Sequence, residues 1–325
     1  MMTLPAVEVL RPESVSAAVE ALRAHPGARV LAGGTDIVPN LKYGMYDTQH
    51  LVALRGLSKE LRYLRETPDG LRLGALCSID ELAQNQLVRA RLPALADACS
   101  QIAGPQLRRM GTLGGNLCLD TRCVYINQTY FWRSALGFCI KKDGTLCHVV
   151  AGGKRCVAAA SNDTAPVLLA LDASVRTVSP RGERTLPLRE FYLADGVHNT
   201  VLEPDELLTE VQIPNAAFAK RQAFAKLRTR AAIDFPALNL AVAIELSDSK
   251  VASVALAVGA LAARPALIKG LEDLRGRPAD ARFAEELGRR AHKQCKPLTN
   301  IGIDPEWRRD ILPVLVRRTV LRALA

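Results

Sequence analysis

The sequence contains no uninterrupted apolar run of the roughly 18 residues that a membrane-spanning helix needs. Even APVLLALDASV is interrupted by Asp172. The first residues, MMTLPAVEVLRPES, lack the basic region followed by an apolar run that marks a secretory signal peptide. We therefore expect a cytoplasmic protein with no membrane segment. Because a reducing compartment keeps thiols free, disulfides are the least expected use of its eight cysteines.

Three common binding signatures are also missing. There is no G-x-G-x-x-G sequence, which weakens the case for a Rossmann dinucleotide site. There is no C-x2-C pair of the kind that holds most structural zinc ions. The net charge is +10, but no homeodomain, zinc-finger or aromatic RNA-binding pattern accompanies it. We expect no nucleic-acid binding and a solvated basic surface; docking of an acidic protein or anionic ligand is the second interpretation.

The apolar pattern predicts three consecutive units. Residues 1–57 contain short strands and one helix, which indicates a small α/β unit. Residues 58–215 combine strands with helices, one of them opened by Ser78 and Glu81 at capping-box spacing. Residues 219–325 begin with long β-leaning apolar runs and end with two helical patterns, which predicts an antiparallel sheet followed by helices. The predicted class is α+β, with a two-part N-terminal α/β domain interrupted by a cysteine-rich loop insertion at about 119–158.

Two turns with paired glycines follow apolar segments: AGGTD at 32–36 and GTLGGN at 111–116. Glycine lets the backbone approach a ligand closely and lets N–H groups converge on phosphate oxygens. Taken singly, each is expected to be only a tight turn. Together they suggest a nucleotide diphosphate site.

Half of the cysteines lie in CVYINQTYFWRSALGFCIKKDGTLCHVVAGGKRC, residues 123–156. The four are Cys123, Cys139, Cys147 and Cys156, and their spacing fits neither close zinc pairs nor familiar ferredoxin motifs. The stretch also carries five aromatic residues and five Lys or Arg against one acid, Asp143. Aromatic side chains could give such a loop a small core of its own, and the cations would offset thiolate charge. The residues by themselves leave zinc, an iron–sulfur cluster and unrelated buried thiols open.

The remaining cysteines have simpler interpretations. Cys77, Cys99 and Cys295 are expected to be small buried hydrophobes. Cys118 is a lower-ranked fifth candidate because it directly follows the second glycine turn. His148 is expected at the surface or behind the ligands rather than among them.

Four motifs in order resemble the FAD-binding medium subunit of the xanthine oxidase family of molybdenum hydroxylases. They are LAGGTDIVPNLK, GPQLRRMGTLGGNL, SNDTAPVLLALDA and FAKLRTRAAIDFPALNLAVA. The resemblance covers essentially the whole chain. It implies an FAD-binding domain of the PCMH type in residues 1–215, a C-terminal flavoprotein domain in 219–325, and FAD as a cofactor.

The resemblance also implies a role for each matched residue. The first turn would cradle the FAD pyrophosphate and the second would form another FAD loop. Ile102 and Lys226 would lie near the flavin, Asp163 would contact the bound FAD, and Leu208 would be an apolar flavin contact. The complete implied set is Leu31, Ala32, Gly33, Gly34, Thr35, Asp36, Ile102, Gly111, Thr112, Gly114, Gly115, Asn116, Asp163, Leu208 and Lys226.

Most members of the family lack the cysteine insertion. It is similar to that of a branch that reductively dehydroxylates 4-hydroxybenzoyl-CoA to benzoyl-CoA and holds an additional [4Fe–4S] cluster in the insertion. This implies that Cys123, Cys139, Cys147 and Cys156 bind such a cluster. It also implies ferredoxin as electron donor, a small subunit with two [2Fe–2S] clusters, a large molybdenum-cofactor subunit, and a dimer of heterotrimers. The chain itself would contribute no catalytic residue to the molybdenum site.

Three alternatives remain. The same architecture could serve an oxidative hydroxylase and deliver electrons outward. The chain could be a zinc-stabilised binding module with empty glycine turns. A flavoenzyme with its own NAD site is disfavoured by the missing Rossmann pattern.

Overall fold

The computed structural model describes residues 3–325. Met1 and Met2, the first residues of the predicted unit 1–57, lie outside the described part. The chain folds around three sheets, and the sheets fix where the glycine turns and the cysteine insertion meet.

The first sheet has three parallel strands in the order β1-β3-β2. Its elements are β1 (Glu8–Leu10), α1 (Val15–Ala24), β2 (Arg29–Leu31), α2 (Ile37–Lys42), β3 (His50–Ala53) and α3 (Ser58–Leu61). Helix α1 begins where Ser14 Oγ accepts a hydrogen bond from the N–H of Ala17 at 3.1 Å. The first glycine turn therefore connects the end of β2 to α2.

The second sheet has five antiparallel strands in the order β4-β5-β8-β6-β7. The strands are β4 (Leu64–Thr67), β5 (Gly70–Gly74), β6 (Ser174–Ser179), β7 (Gly182–Pro187) and β8 (Leu207–Pro214). The helices are α4 (Ile79–Gln84), α5 (Gln86–Arg91), α6 (Pro93–Ser100), α7 (Pro105–Met110), α8 (Leu113–Leu117), α9 (Tyr130–Ala135), α10 (Thr164–Ala170) and α11 (Leu188–Phe191). The predicted capping box is confirmed, since Ser78 and Glu81 exchange side-chain to backbone hydrogen bonds at the start of α4.

The third sheet has four antiparallel strands in the order β12-β11-β10-β9. Its elements are β9 (Arg221–Leu227), β10 (Leu238–Ser247), β11 (Lys250–Gly259), β12 (Ala266–Leu267), α12 (Ala281–Gln294) and α13 (Pro305–Leu324). The two helices bury Leu287 and Val316 against Leu240 and Leu256 of the sheet. The predicted antiparallel sheet followed by helices is confirmed.

The cysteine insertion lies between α8 and α10. Apart from α9, its regular structure is limited to isolated bridges, and the bridge between Arg122 and Ala159 closes its base. The α+β class with an insertion is therefore confirmed. No helix within residues 3–325 combines the length and the apolarity needed to cross a membrane.

Candidate cofactor sites

The two glycine turns pack directly against each other. A Cβ on Gly33 would lie 1.9 Å from the carbonyl oxygen of Met110, which leaves room only for glycine. Gly34 has a φ of +74°, a left-handed conformation that glycine adopts without strain. A Cβ on Gly111 would lie 3.6 Å from Thr35 Oγ1. Both turns therefore contribute to one surface.

The first turn has free hydrogen-bond donors. The backbone N–H groups of residues 33–36 donate to no acceptor among residues 3–325, and all four residues are half-buried. Consecutive free N–H groups in a turn form a concavity that binds anions. The turn therefore fits a phosphate or pyrophosphate group.

Asp36 contributes differently from the rest of its turn. Its carboxylate accepts hydrogen bonds from Arg122 Nη2 at 2.5 Å and from Asn40 Nδ2 at 3.0 Å. Burial raises the pKa of Asp36, and the Arg122 charge opposes that rise. Because the carboxylate already has these two partners, the backbone of Asp36 is the part suited to an anionic ligand.

The second turn is held by its own side chains. Thr112 Oγ1 accepts a hydrogen bond from the N–H of Gly115 at 3.1 Å, which caps α8. A Cβ on Gly114 would lie 2.8 Å from the Cβ of Ala75, so this glycine is required for packing. Asn116 Oδ1 accepts hydrogen bonds from the Thr164 backbone N–H at 3.1 Å and from its hydroxyl at 2.6 Å. Asn116 thus joins the second turn to the segment that contains Asp163.

Asp163 and Lys226 form a buried ion pair. Lys226 Nζ lies 2.6 Å from Asp163 Oδ2, and the two side chains are 1% and 5% exposed. Asn239 Nδ2 donates to the other carboxylate oxygen at 2.8 Å, and Lys226 also donates to the carbonyl of Gln101 at 3.1 Å. Burial is the largest influence on Asp163 and raises its pKa, although Lys226 opposes the rise. The pair links the C-terminal sheet to the loop after α6.

The remaining matched residues divide into two groups. Leu31 and Ala32 lead into the first turn, and Ile102 follows Gln101 and packs against the main core. Leu208 lies within β8 and is buried in the main core, paired with Thr177 of β6. The structure thus brings the two turns and the segments at 101–102, 163 and 226 together through direct contacts, whereas Leu208 belongs to the sheet beneath them.

All four insertion cysteines line one pocket. Cys123, Cys139, Cys147 and Cys156 line a narrow pocket of about 20 Å³, together with apolar side chains such as Ile126 and Val149. The thiols of Cys123, Cys139 and Cys156 are each less than a tenth exposed. Residues separated by up to 33 positions therefore meet at one place. They are not joined by disulfides, since all eight cysteines are free thiols.

The side chains around the pocket do not form a ready-made single-ion site. No group of three or more His, Cys, Asp or Glu side chains in the described chain converges closely enough to hold one metal ion. Four thiolates on one zinc would lie about 3.8 Å from one another, given the usual Zn–S distance. Burial raises the pKa of the Cys123 thiol to about 11, and the sulfurs of Cys156, Cys139 and Cys147 add to the rise. The four thiols thus lie close enough for the charge of one to raise the pKa of another.

One chain of hydrogen bonds links this pocket to the first turn. Lys141, which lines the pocket, donates to Asp120 at 2.7 Å. The other Asp120 oxygen accepts from the Tyr46 hydroxyl at 2.9 Å. Asn40 donates to both Tyr46, at 3.3 Å, and Asp36, at 3.0 Å. The two candidate sites therefore share a polar scaffold.

The expectation that aromatic residues form a core for the loop is wrong for most of them. Tyr130, Phe131 and Trp132 are exposed, with Phe131 at 82%. The buried cluster instead consists of Cys123, Cys139 and Cys156 with Met45, Ile126 and Ala158, and half-buried Tyr125 packs against it. The short helix α9 turns its aromatic side chains outward and buries Arg133, which donates to the carbonyl groups of residues 43 and 44.

The other candidate ligands differ in where they lie relative to the pocket. His148 lines the pocket, but its Nε2 lies 2.6 Å from the carbonyl oxygen of Phe138, so the ring braces the loop. Cys118 is exposed and does not line the pocket. Cys77 and Cys99 are buried in the main core, and Cys295 is half-buried against the C-terminal core.

Several residues that shape these sites carry no recognisable sequence signal. Arg122 pairs with Asp36, and its guanidinium carbon lies 3.7 Å from the centroid of the Phe235 ring. Gly196 lies against Cys156, and Asn300 contacts the backbone beside two of the cysteines. Single Arg, Gly and Asn residues are too common for their positions in the sequence to indicate a role.

Comparison with known proteins agrees with this geometry. Residues 5–216 match the family described as the FAD-binding domain in molybdopterin dehydrogenase. Residues 222–323 match the CO dehydrogenase flavoprotein C-terminal domain. The chain therefore belongs to the medium, FAD-binding subunits of the xanthine oxidase and CO dehydrogenase family.

Individual relatives are similar over most of their length. The aldehyde oxidoreductase FAD-binding subunit of Escherichia coli is 32% identical over 249 residues, covering 74% of this chain and 76% of the relative. The nicotine 6-hydroxylase medium subunit of Paenarthrobacter nicotinovorans is 26% identical and covers 99% of both chains. Among solved structures, the carbon monoxide dehydrogenase of Hydrogenophaga pseudoflava superposes with a TM-score of 0.82 at 25% identity, covering 99% of both chains. The protein is thus an FAD subunit of an oxidoreductase of the molybdenum hydroxylase family.

Proposed function

We propose that this chain is the FAD- and [4Fe–4S]-containing subunit of a cytoplasmic enzyme of the 4-hydroxybenzoyl-CoA reductase type. The observation that carries the proposal is the meeting of Cys123, Cys139, Cys147 and Cys156 around one pocket within an FAD-binding subunit. A subunit that handled only FAD would have no need for four thiols around a shared space.

The glycine turns would hold the FAD pyrophosphate. The free N–H groups of residues 33–36 supply donors, and the contact of Gly33 with Met110 brings residues 111–116 alongside them. The loop at Ile102 and the Asp163–Lys226 pair would lie at the flavin end. Leu208 would support the FAD site indirectly, because it packs in the core of the sheet beneath the turns.

The cysteine pocket would hold the cluster through four thiolates, the usual ligand set for [4Fe–4S]. Lys141 is 8% exposed and lines the pocket, so its charge would partly balance the thiolates. The surrounding Ile and Val side chains would limit access of water. The sequence spacing also lacks the close cysteine pairs that are usual in structural zinc sites.

The proposed role is electron transfer. When bound, the cluster would exchange single electrons and FAD would exchange one or two, so that reducing equivalents from a ferredoxin could reach [2Fe–2S] clusters in a small subunit and a molybdenum cofactor in a large one. Reductive removal of the phenolic hydroxyl of 4-hydroxybenzoyl-CoA would take place in that large subunit. The assembly would be a dimer of heterotrimers.

A second candidate is the FAD subunit of an oxidative molybdenum hydroxylase. The names of its relatives favour this reading, since they include a nicotine 6-hydroxylase and a carbon monoxide dehydrogenase. However, an FAD subunit of an oxidative hydroxylase would have no function for the four cysteines that line the pocket. A zinc-stabilised module is a third reading, but membership of an FAD-binding family opposes its empty glycine turns.

The first test is the iron, acid-labile sulfide, zinc and flavin content of anaerobically purified protein. About four iron, four sulfide and one FAD per chain, with little zinc, is the expected result. Zinc without sulfide would make the loop structural and reduce the chain to a plain flavin subunit.

The second test assays the purified complex for reduction of 4-hydroxybenzoyl-CoA, with a chemically reduced ferredoxin as donor. Formation of benzoyl-CoA is expected. A complex with a full cluster complement that oxidises a hydroxylase substrate, but does not dehydroxylate 4-hydroxybenzoyl-CoA, would contradict the proposed direction while leaving the cofactor assignment intact.

A further inference from the structure

The base of the cysteine insertion is a short antiparallel pairing. Arg122 and Ala159 exchange both backbone hydrogen bonds, at 2.8 and 2.7 Å. In an antiparallel ladder the next hydrogen-bonded pair lies two residues further along each strand. Here that pair would be Val124 and Val157. Each of these residues directly follows a pocket cysteine.

Asn300 occupies the position of that missing rung. The N–H of Val124 donates to the backbone carbonyl of Asn300 at 2.8 Å. The side-chain Nδ2 of Asn300 donates to the carbonyl of Val157 at 2.6 Å. Asn300 thus forms a hydrogen bond with the backbone of each strand. Because it lies between the two strands, they cannot pair directly at this position.

The residue comes from a distant part of the chain and is firmly held. Asn300 is fully buried in the loop between α12 and α13. Arg308 of α13, also fully buried, donates to the carbonyl of Leu298 in the same loop and to that of Ala260 at 3.4 Å. The Oδ1 atom of Asn300 has no partner within residues 3–325. An unsatisfied buried polar atom costs free energy, which a purely structural contact could avoid with another side chain.

We infer that Asn300 is a positioning residue that holds the strands of the insertion apart, so that Cys123 and Cys156 stand on opposite sides of the pocket. This inference rests on the proposed function for the identity of what the pocket binds. The separation of the two strands by Asn300 follows from its hydrogen bonds to Val124 and Val157, whatever the pocket binds. Without the amide, the two strands are free to close or shift register, and the sulfurs lose their arrangement.

The test compares three variants in the whole protein. Asn300→Asp keeps the size and removes the donor to Val157, whereas Asn300→Leu removes all side-chain polarity. Thr299→Ala is the matched control, because Thr299 is exposed in the same loop. Each metal-free protein is reconstituted anaerobically with ferrous iron and sulfide. Iron, sulfide and FAD contents are then measured, together with the EPR spectrum of the reduced protein and the rate of iron loss to a chelator.

Both Asn300 variants are expected to retain FAD, to hold less than half of the wild-type iron, and to lose it several-fold faster. The Thr299 variant should match the wild type. Wild-type iron content and loss rate in both Asn300 variants would overturn the inference. Loss of FAD in parallel with iron would also overturn it, because Asn300 would then be a general folding residue.

A second measurement separates this inference from the proposed function. The alkylation rates of individual thiols in the metal-free proteins are followed by mass spectrometry. The Asn300 variants should change the rates at Cys123 and Cys156 at least several-fold and leave buried Cys77 unchanged. If the wild type bound no iron, the proposed function would fail while this result could still support the positioning role. Unchanged rates at both thiols would contradict the role whatever the pocket binds.

Discussion

Gly33 packs against Met110 so closely that a single added carbon on Gly33 would lie 1.9 Å from the Met110 carbonyl oxygen. Met110 is the last residue of α7 and directly precedes the second glycine turn. The contact therefore locks together two segments that the sequence separates widely. It also means that the shape of the proposed FAD site depends on the absence of one methyl group.

Gly33→Ala should lower FAD content at least several-fold. The new Cβ must push backbone atoms apart, which in packed proteins costs about 1–3 kcal/mol, and the displaced turns would no longer align their N–H groups. Flavin absorbance per chain and thermal unfolding measure the two effects. Gly302→Ala is a suitable control, because its Cβ would come no nearer than 4.0 Å to another atom. Full flavin occupancy in the Gly33 variant would remove the pyrophosphate assignment.

Cys139→Ser should remove most of the cluster iron and retain FAD. A serine hydroxyl is a poor substitute for a thiolate ligand, and Cys139 belongs to the insertion rather than to the glycine turns. Iron, sulfide and flavin analysis of the purified variant measures the outcome. Cys295→Ser is the control, since Cys295 lies in the C-terminal core. Equal loss of iron and FAD would show that the two sites are not separable.

Gly196 is expected to support the proposed cluster by leaving space for the Cys156 sulfur. Its N–H donates to the carbonyl of Cys156 at 2.8 Å, and a Cβ on it would lie 2.7 Å from the Cys156 sulfur. Gly196→Ala should displace that sulfur and reduce iron content by at least half, with FAD unchanged, and Gly196→Val should reduce it further. Iron analysis and the EPR spectrum of the reduced protein measure the series. Iron occupancy that does not change with side-chain size would argue against cluster ligation by Cys156.

The Asp163–Lys226 pair should be costly to break and less costly to replace. Lys226→Met leaves a buried carboxylate without its main partner, so the free energy of unfolding should fall by about 3–5 kcal/mol. The double variant Lys226→Met, Asp163→Asn should recover much of that loss. Urea unfolding of both single variants and the double variant gives the coupling energy. If the losses of unfolding free energy in the two single variants sum to the loss in the double variant, the two residues are not coupled.

The same variants make a prediction about pH. The pKa of Asp163 in the folded protein is raised by burial, so the folded state binds a proton more readily than the unfolded state. The contribution of this group to stability therefore increases as pH falls through the raised pKa. Because Lys226 opposes the rise, Lys226→Met should gain more stability than the wild type as the pH falls from neutral through the raised pKa of Asp163. If the unfolding free energies of the wild type and of Lys226→Met, measured in urea, change equally with pH, this prediction is contradicted.

Much of the architecture follows from local patterns in the sequence. The capping box at Ser78 and Glu81, the long β runs of the C-terminal sheet and its two closing helices were all predictable, because side-chain periodicity and capping act within a few residues. The two glycine turns and the four cysteines were also recognisable as groups. Their chemistry depends on residue type, which is visible in the sequence.

What only the tertiary structure decided is how those groups are shaped. The contact of Gly33 with Met110, the space that Gly196 leaves for Cys156, and the insertion of Asn300 between Val124 and Val157 join remote segments through backbone atoms. The exposure of Phe131 was mispredicted for the same reason, since composition does not indicate which face of a short helix packs inward. The sequence by itself indicated which residues are candidates for the FAD site and for the proposed cluster site. Long-range packing determined their spacing, because backbone groups and single glycines carry no pattern that reveals their distant partners.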